Sequence, residues 1–299
     1  MLAAQSAVRE STPDVNGNMV ARSSALSDDG NQALLQQSVN GTQVPVEKTE
    51  TRTLSESASG KVTETVVRHY GPDGQILSTD RTVTEERKRP GGGTATTATL
   101  QRSDMNGALR EVERRATETK TDGKTTTSEV VISRLGVDNR ITPDEKHVVV
   151  TTGYDKKTHE DEQIFKASTS GQFTQTARNV TDHTVNGDKT TTQTAHYQTD
   201  YQGLIQLDNL KVTNTEKGPN GAQTTEVNTY GYPPGVARTD APPTALQSQQ
   251  VITRTTLKDG TVAETLSVRL PSLSDSNRLG PANVVSQKVC AGKCDAPKP

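Results

Sequence analysis

The sequence predicts an all-β protein, a long up-and-down antiparallel meander of about fourteen strands built from hairpin repeats about 32 residues long. Three observations carry that expectation. Glycines recur at a nearly fixed period. Most of them follow Asn or Asp. The runs between them are rich in Thr and Val.

One series of turns carries Gly41, Gly74, Gly107, Asn139, Gly171, Gly203 and Gly235, at steps of 33, 33, 32, 32, 32 and 32. A second series, Gly60, Gly93, Gly123, Lys156, Gly187, Gly221 and Gly260, interleaves with it. Asn40-Gly41, Asp73-Gly74, Asn106-Gly107, Asp122-Gly123, Asn186-Gly187, Asn220-Gly221 and Asp259-Gly260 predict type I′ hairpin turns, which need positive φ at both central residues. Between turns lie runs such as 61–70, 79–88, 124–134, 189–198 and 223–230. Their β-branched side chains are stiff at χ1 and fit a pleated strand better than a helix.

Residues 1–38 are small, polar and poor in pattern, and read as a flexible N-terminal segment. The opening Met1-Leu2-Ala3-Ala4-Gln5-Ser6 is similar to the small-residue end of a secretory signal, so a leader ahead of Met1 is the expectation. The hairpin array occupies 39–240. Prolines in Tyr232-Pro233-Pro234 and Ala241-Pro242-Pro243 interrupt the period, so 241–249 reads as a linker. A final hairpin over 250–280 follows, then a tail, 281–299, holding Cys290 and Cys294.

Composition limits the core. Apolar residues are 29% of the chain, aromatics 3%, and Trp is absent. Leu, Ile, Val and Phe together fall under the roughly 20% that accompanies disorder when net charge is high. The net charge here is only −2, and the regular turns argue for paired strands. Neither face of a run such as Lys61–Tyr70 is purely apolar, unlike the usual one-sided antiparallel sheet. Apolar residues gather instead toward the Gly74, Gly107, Gly171 and Gly203 turns, predicting an apolar belt at one end of long strands. The sheet is expected either to extend as a twisted single layer or to curl into a barrel-like closure. Lipid-facing alternation and aromatic girdles, which a membrane barrel needs, are missing.

Motifs that carry chemistry are few. His69, His147, His159, His183 and His196 lack metal-ligand spacing, and no catalytic residue or cofactor is expected. The glycines after Pro90 have no following Lys-Ser/Thr and form no phosphate loop. With 34 basic against 36 acidic residues interspersed by sign, no nucleic-acid footprint is present. Cys290 and Cys294 are a candidate disulfide, dispensable for folding, in keeping with an oxidising compartment.

Tyr70-Gly71-Pro72-Asp73-Gly74-Gln75-Ile76-Leu77 resembles the Tyr-Asp…Gly-Arg-Leu turn of YD-type repeats, and Asn106–Leu109 and Tyr201–Ile205 are looser echoes. That resemblance implies a secreted β-rich shell. It covers about eight residues per copy, the period here is longer and the arginine is absent, so no functional residue carries over.

These readings predict a non-enzymatic, secreted or surface structural protein that self-associates through unpaired edge strands into a fibre or coat. A binding module for a glycan or protein is the alternative. Its patch would sit at the irregular stretches 138–145 and 154–162. No membrane span is expected.

Overall fold

The computed structural model describes residues 7–13, 19–27, 31–39, 42–232, 242–257, 259–272 and 278–291. Among these residues there are eighteen strands. Three short ones lead: β1 (Ala7–Pro13), β2 (Met19–Leu26) and β3 (Gln32–Val39). The long wall follows as β4 (Thr42–Ser57), β5 (Gly60–Tyr70), β6 (Ile76–Arg89), β7 (Gly93–Ser103), β8 (Leu109–Asp122), β9 (Thr125–Leu135) and β10 (Ile141–Tyr154). It continues as β11 (Lys157–Ala167), β12 (Phe173–Asn186), β13 (Lys189–Thr199), β14 (Ile205–Lys217), β15 (Gln223–Gly231), β16 (Ala245–Thr256), β17 (Thr261–Arg269) and β18 (Asn283–Ala291). The one helical element among the described residues is a single 3₁₀ turn, Pro219–Gly221.

The all-β meander is therefore the fold, and each strand pairs antiparallel with the next. The sixteen strands β3–β18 form one unbroken meander that does not close by itself. The N-terminal hairpin bridges its two ends: β1 pairs with β18 over Val8–Ser11, and β2 pairs with β3 over Arg22–Leu26. Every strand among the described residues thus has two neighbours.

Several expectations are corrected here. The segment 1–38 contributes strands rather than a flexible arm. The linker 241–249 overlaps β16, which starts at Ala245, and the tail 281–299 contributes β18. The strand count rises to eighteen for these reasons, since the flanking segments lack the turn signals that mark the array. Free edge strands, the predicted route of self-association, are also absent among the described residues.

The wall is one layer thick. Strands touch their ladder neighbours, and nothing packs on either face as a second layer among the described residues. The solvent-accessible surface is 19375 Å², against about 12,000 Å² for a compact globular chain of this mass. Among the described residues, the buried apolar side chains are Ile132, Val227, Pro243 and Cys290. The predicted apolar belt exists, but it does not make a core. Ile76, Leu77, Leu109, Leu204 and Ile205 remain exposed at the strand ends, because a single layer offers nothing to cover them. Cross-strand pairs supply cohesion instead: Thr51–Thr65, Thr181–Thr194 and Thr215–Thr225 hydroxyls each meet at 3.1 Å.

The turns divide between two rims. On the rim that carries Gly74, five hairpins share one five-residue design, at 71–75, 104–108, 136–140, 168–172 and 200–204. In each, the first N–H donates to the fifth carbonyl and the fourth N–H to the first carbonyl. The fourth residue holds positive φ: Gly74 76°, Gly107 79°, Asn139 64°, Gly171 80° and Gly203 81°. This is a type I turn followed by one left-handed residue. Asp104 and Asp200 each accept two backbone N–H groups inside their turns. On the opposite rim, two-residue loops put Gly123 and Gly187 at the first central position with positive φ, the II′ arrangement.

The type I′ expectation is accordingly corrected. Asp73, Asn106, Asp122, Asn186 and Asp259 do not have positive φ; among the described pairs only Asn220-Gly221, at 58° and 75°, keeps it at both residues, and Asn40-Gly41 lies outside the described residues. The Asp73 and Asp259 carboxylates accept backbone N–H bonds from Gln75 and Thr261, which type I geometry permits.

Candidate functional site

Each of these five turns on the Gly74 rim is followed by a β-bulge in the strand it opens. The extra residues are Leu77, Val112, Asp144, Thr176 and Asp208, one in each of β6, β8, β10, β12 and β14. Bulges re-aim side chains and recur beside functional sites. At β10 the bulge adds Asp144 to an already dense row of charge.

That row is the most concentrated chemistry on the wall. Alternation and register place Glu113, Arg134, Glu145, His147, Glu162, Lys166, Asn179 and His196 on one face across β8–β13. Arg134 donates to Glu113 at 3.2 Å and also to Asp144. Lys166 bridges Asp144, at 3.6 Å, and Glu145. His147 lies between two carboxylates, with Nε2 on Glu145 and Nδ1 on Glu162 at 2.7 Å. Glu162 accepts from Asn179 Nδ2 at 2.7 Å, and Asn179 Oδ1 meets His196 Nδ1 at 2.6 Å. The hydrogen bonds and ion pairs run unbroken across six strands.

An imidazole with a carboxylate on each nitrogen satisfies both only as the protonated ring. His147 is 20% exposed, and burial works against its charge. The bonds to Glu162 and Glu145 outweigh that effect and raise its pKa. Lys166 chiefly, with help from His147 and against burial, holds Glu145 below the usual carboxylate range. The arrangement can hold and release one proton at His147. It places no Ser, Thr or Cys in hydrogen-bond contact with that ring, so it does not form a nucleophile–base pair.

The opposite face has its own charge centre. Glu64, 3% exposed, accepts from Arg52 and from Arg81 at 2.6 Å. Those bonds, Arg81 first, lower its pKa against the cost of burial. Farther along this face the Arg178 guanidinium grips Asp161 through two bonds, at 2.8 and 2.7 Å, and lies over the Tyr197 ring. A shallow groove of about 590 Å³ crosses β6–β8, with Val83, Ala95, Thr97 and Ala116 among its lining and Arg87 and Glu118 beside them.

The structural turn residues of the sequence stand as follows. Gly74, Gly107, Gly123, Gly171, Gly187, Gly203, Gly221 and Gly260 all hold positive φ. Gly41 lies outside the described residues. Cys290 is disulfide-bonded and 1% exposed in β18, opposite Val262; the chain's other cysteine, Cys294, lies outside the described residues. The two irregular stretches of the sequence meet at the charged row, since Asp144 and Glu145 end the first and Glu162 ends the second. Among the described residues no His, Cys, Asp and Glu group is arranged to hold a metal ion.

Taken one at a time, the histidines give no sign of the row in the sequence. The register about the Asp155-Lys156 turn pairs Val149 with Glu162 and His147 with Ile164. That register sets Glu162 diagonally beside His147, a signal available from the turn position alone.

No protein-family model matches the chain, and no curated protein matches it. No helix among the described residues is long and apolar enough to cross a membrane.

Proposed function

We propose that this chain is a non-enzymatic structural protein of the secreted or cell-surface kind, and that its work is to present a repeating, self-associating wall. The observation that carries this reading is the even repetition of one bulged hairpin, with charge paired across strands instead of gathered in a cleft. Arg102 with Asp80, Arg134 with Glu113 and Arg254 with Glu264 repeat the same directly opposed pairing between β6 and β17. Such pairs contribute little individually in water, and their value lies in the network. The Cys290 disulfide supports an oxidising compartment.

The test is fractionation of the native source followed by electron microscopy of the purified protein over a concentration series. The reading expects the protein outside the cytoplasm and in multi-copy particles. A reduced, cytoplasmic single-copy protein contradicts it. The second reading, a binding module, is favoured by the groove across β6–β8. Titration with a panel of glycans and peptides, read by amide shifts at Ala95, Thr97 and Ala116, separates the two.

A further inference from the structure

We propose that the Gly74 rim is the surface by which one copy of this chain binds a second, rim to rim. This rests on the self-association reading above and names the surface that performs it. Strand edges are unavailable among the described residues, because β1 pairs with both β2 and β18. Association must therefore use a face or a rim, and the two rims differ.

On the Gly74 rim the second residue of each five-residue turn is Pro72, Met105, Val137, Thr169 and Tyr201. The residue opening each following strand is Ile76, Leu109, Ile141, Phe173 and Ile205. Nine of these ten positions are apolar, at a repeat of 32 or 33 residues. Met105 and Val137 are fully exposed, Tyr201 is 94% exposed, and Leu77 and Leu204 extend the same arc. The opposite rim carries Ala58-Ser59, Gly91-Gly92, Gly123-Lys124, Asp155-Lys156, Gly187-Asp188 and Pro219-Asn220 at its described tips, and its exposed large apolar side chains, Leu54, Tyr154 and Leu257, are fewer and less exposed.

Area and charge select the partner. The exposed apolar side chains of the arc offer on the order of 1,000 Å², against about 800 Å² per partner in a standard interface. Tips two strands apart are spaced by about 10 Å, which leaves a side chain's width between them for the tips of an opposed copy. The rim also carries both signs of charge, Asp73, Asp104, Asp138 and Asp200 beside Arg110 and Arg140. That mixture complements itself under two-fold rotation, whereas the excess acid opposes an anionic membrane. A patch pairing with its own copy closes after two chains. The assembly unit is then a rim-to-rim pair, and further growth requires a different contact.

The test is sedimentation velocity over a concentration series on the full chain. Three proteins are compared: wild type; a variant carrying Leu77→Ser, Met105→Ser, Val137→Ser and Tyr201→Ser; and an opposite-rim control carrying Leu54→Ser, Tyr154→Ser and Leu257→Ser. Circular dichroism confirms the β spectrum of each, and Met105→Lys with Val137→Lys is the smaller variant if the larger one misfolds. The proposal expects a two-copy species in wild type and control, and at least a tenfold weaker dimer in the rim variants. Rim variants that associate like wild type overturn it while self-association stands. A wild type that stays single-copy throughout overturns both. A single-copy wild type that pellets with phosphatidylcholine vesicles, when the rim variant does not, assigns the rim to lipid and overturns the second copy as partner.

Discussion

The two rims are made by the same strands, yet they differ in turn length and in character. The Gly74 rim uses five-residue turns with an exposed second residue, a left-handed fourth residue and a bulge just beyond. The opposite rim is mixed: it has short loops at 58–59, 90–92, 123–124, 155–156 and 187–188, and five-residue turns at 218–222 and 257–261 with no bulge in the strand that follows. A Cβ added at Gly60, in the second rim, would lie 2.3 Å from the Glu86 carbonyl oxygen, whereas one added at Gly107 would meet nothing within 4 Å. The comparison teaches that one hairpin period can build a wall with unlike ends. The Gly74 rim lifts Met105, Val137 and Tyr201 clear of the wall, whereas the short loops of the opposite rim present glycine, lysine and aspartate.

The largest effect is expected from opening the wall between those rims. Deleting residues 1–26 removes β1 and β2 and leaves β3 and β18 with unpaired backbone groups, a template for other chains. Light scattering should rise steeply over wild type, with the β spectrum of β3–β18 kept. Unchanged scattering would show that the N-terminal hairpin does not cover those strands.

The glycines come next. Gly60→Ala forces a backbone shift and should destabilise by about 2 kcal/mol, within the range for overpacking. Gly107→Ala strains only φ, at +79°, and should cost about 1 kcal/mol. Urea melts of the two variants sharpen the rim comparison, and a reversed order would undo it.

The charge centres follow, and they respond to pH in opposite directions. Glu64→Gln removes the acceptor that Arg52 and Arg81 share and should destabilise by about 1–2 kcal/mol at pH 7, where exposure of Arg52 moderates the loss. The folded pKa of Glu64 is depressed. Its contribution is therefore present above the unfolded value of about 4.3 and is lost as pH falls through the folded value. His147 behaves conversely, because its folded pKa is raised. Its contribution is complete below the unfolded value of about 6.5 and fades as pH rises through the folded value. Melting temperatures between about pH 5 and 9 should decline across that window in wild type and decline less in His147→Gln, by an amount equivalent to about 1 kcal/mol or less for a half-buried site. Equal slopes would remove His147 from the pH response.

The repeat and its strands were legible because turn glycines and β-branched runs are local signals. Residues such as Gly74, Gly107 and Gly171 announce themselves whatever the tertiary context. The N-terminal strands were not legible, since β1–β3 draw their stability from pairing with β18 and β4 and carry no periodic turn of their own. Turn type needs register, because Asn-Gly and Asp-Gly suit several turns: a bulge follows the turns at Gly74 and Gly107, whereas Gly123 and Gly187 stand first in two-residue loops. The charged row needed register: Glu145 and His147 share a face by alternation, but Glu162 joins them only through the Asp155-Lys156 turn. The belt of Ile76, Leu109 and Ile205 was visible, while its exposure depended on the absence of a second layer, which composition suggested without locating.

One distance measurement tests the account most directly. Nitroxide labels placed singly at Asn106→Cys, on the Gly74 rim, and at Ser59→Cys, on the opposite rim, report separations between copies by pulsed electron resonance. Fourteen-residue strands at about 3.3 Å per residue, tilted as in curled sheets, give each copy a height of roughly 35 Å. A rim-to-rim pair therefore predicts labels at Asn106→Cys within about 30 Å of each other and labels at Ser59→Cys about 60–80 Å apart. Short separations at Ser59→Cys with long ones at Asn106→Cys would contradict the account and assign the adhesive end to the other rim.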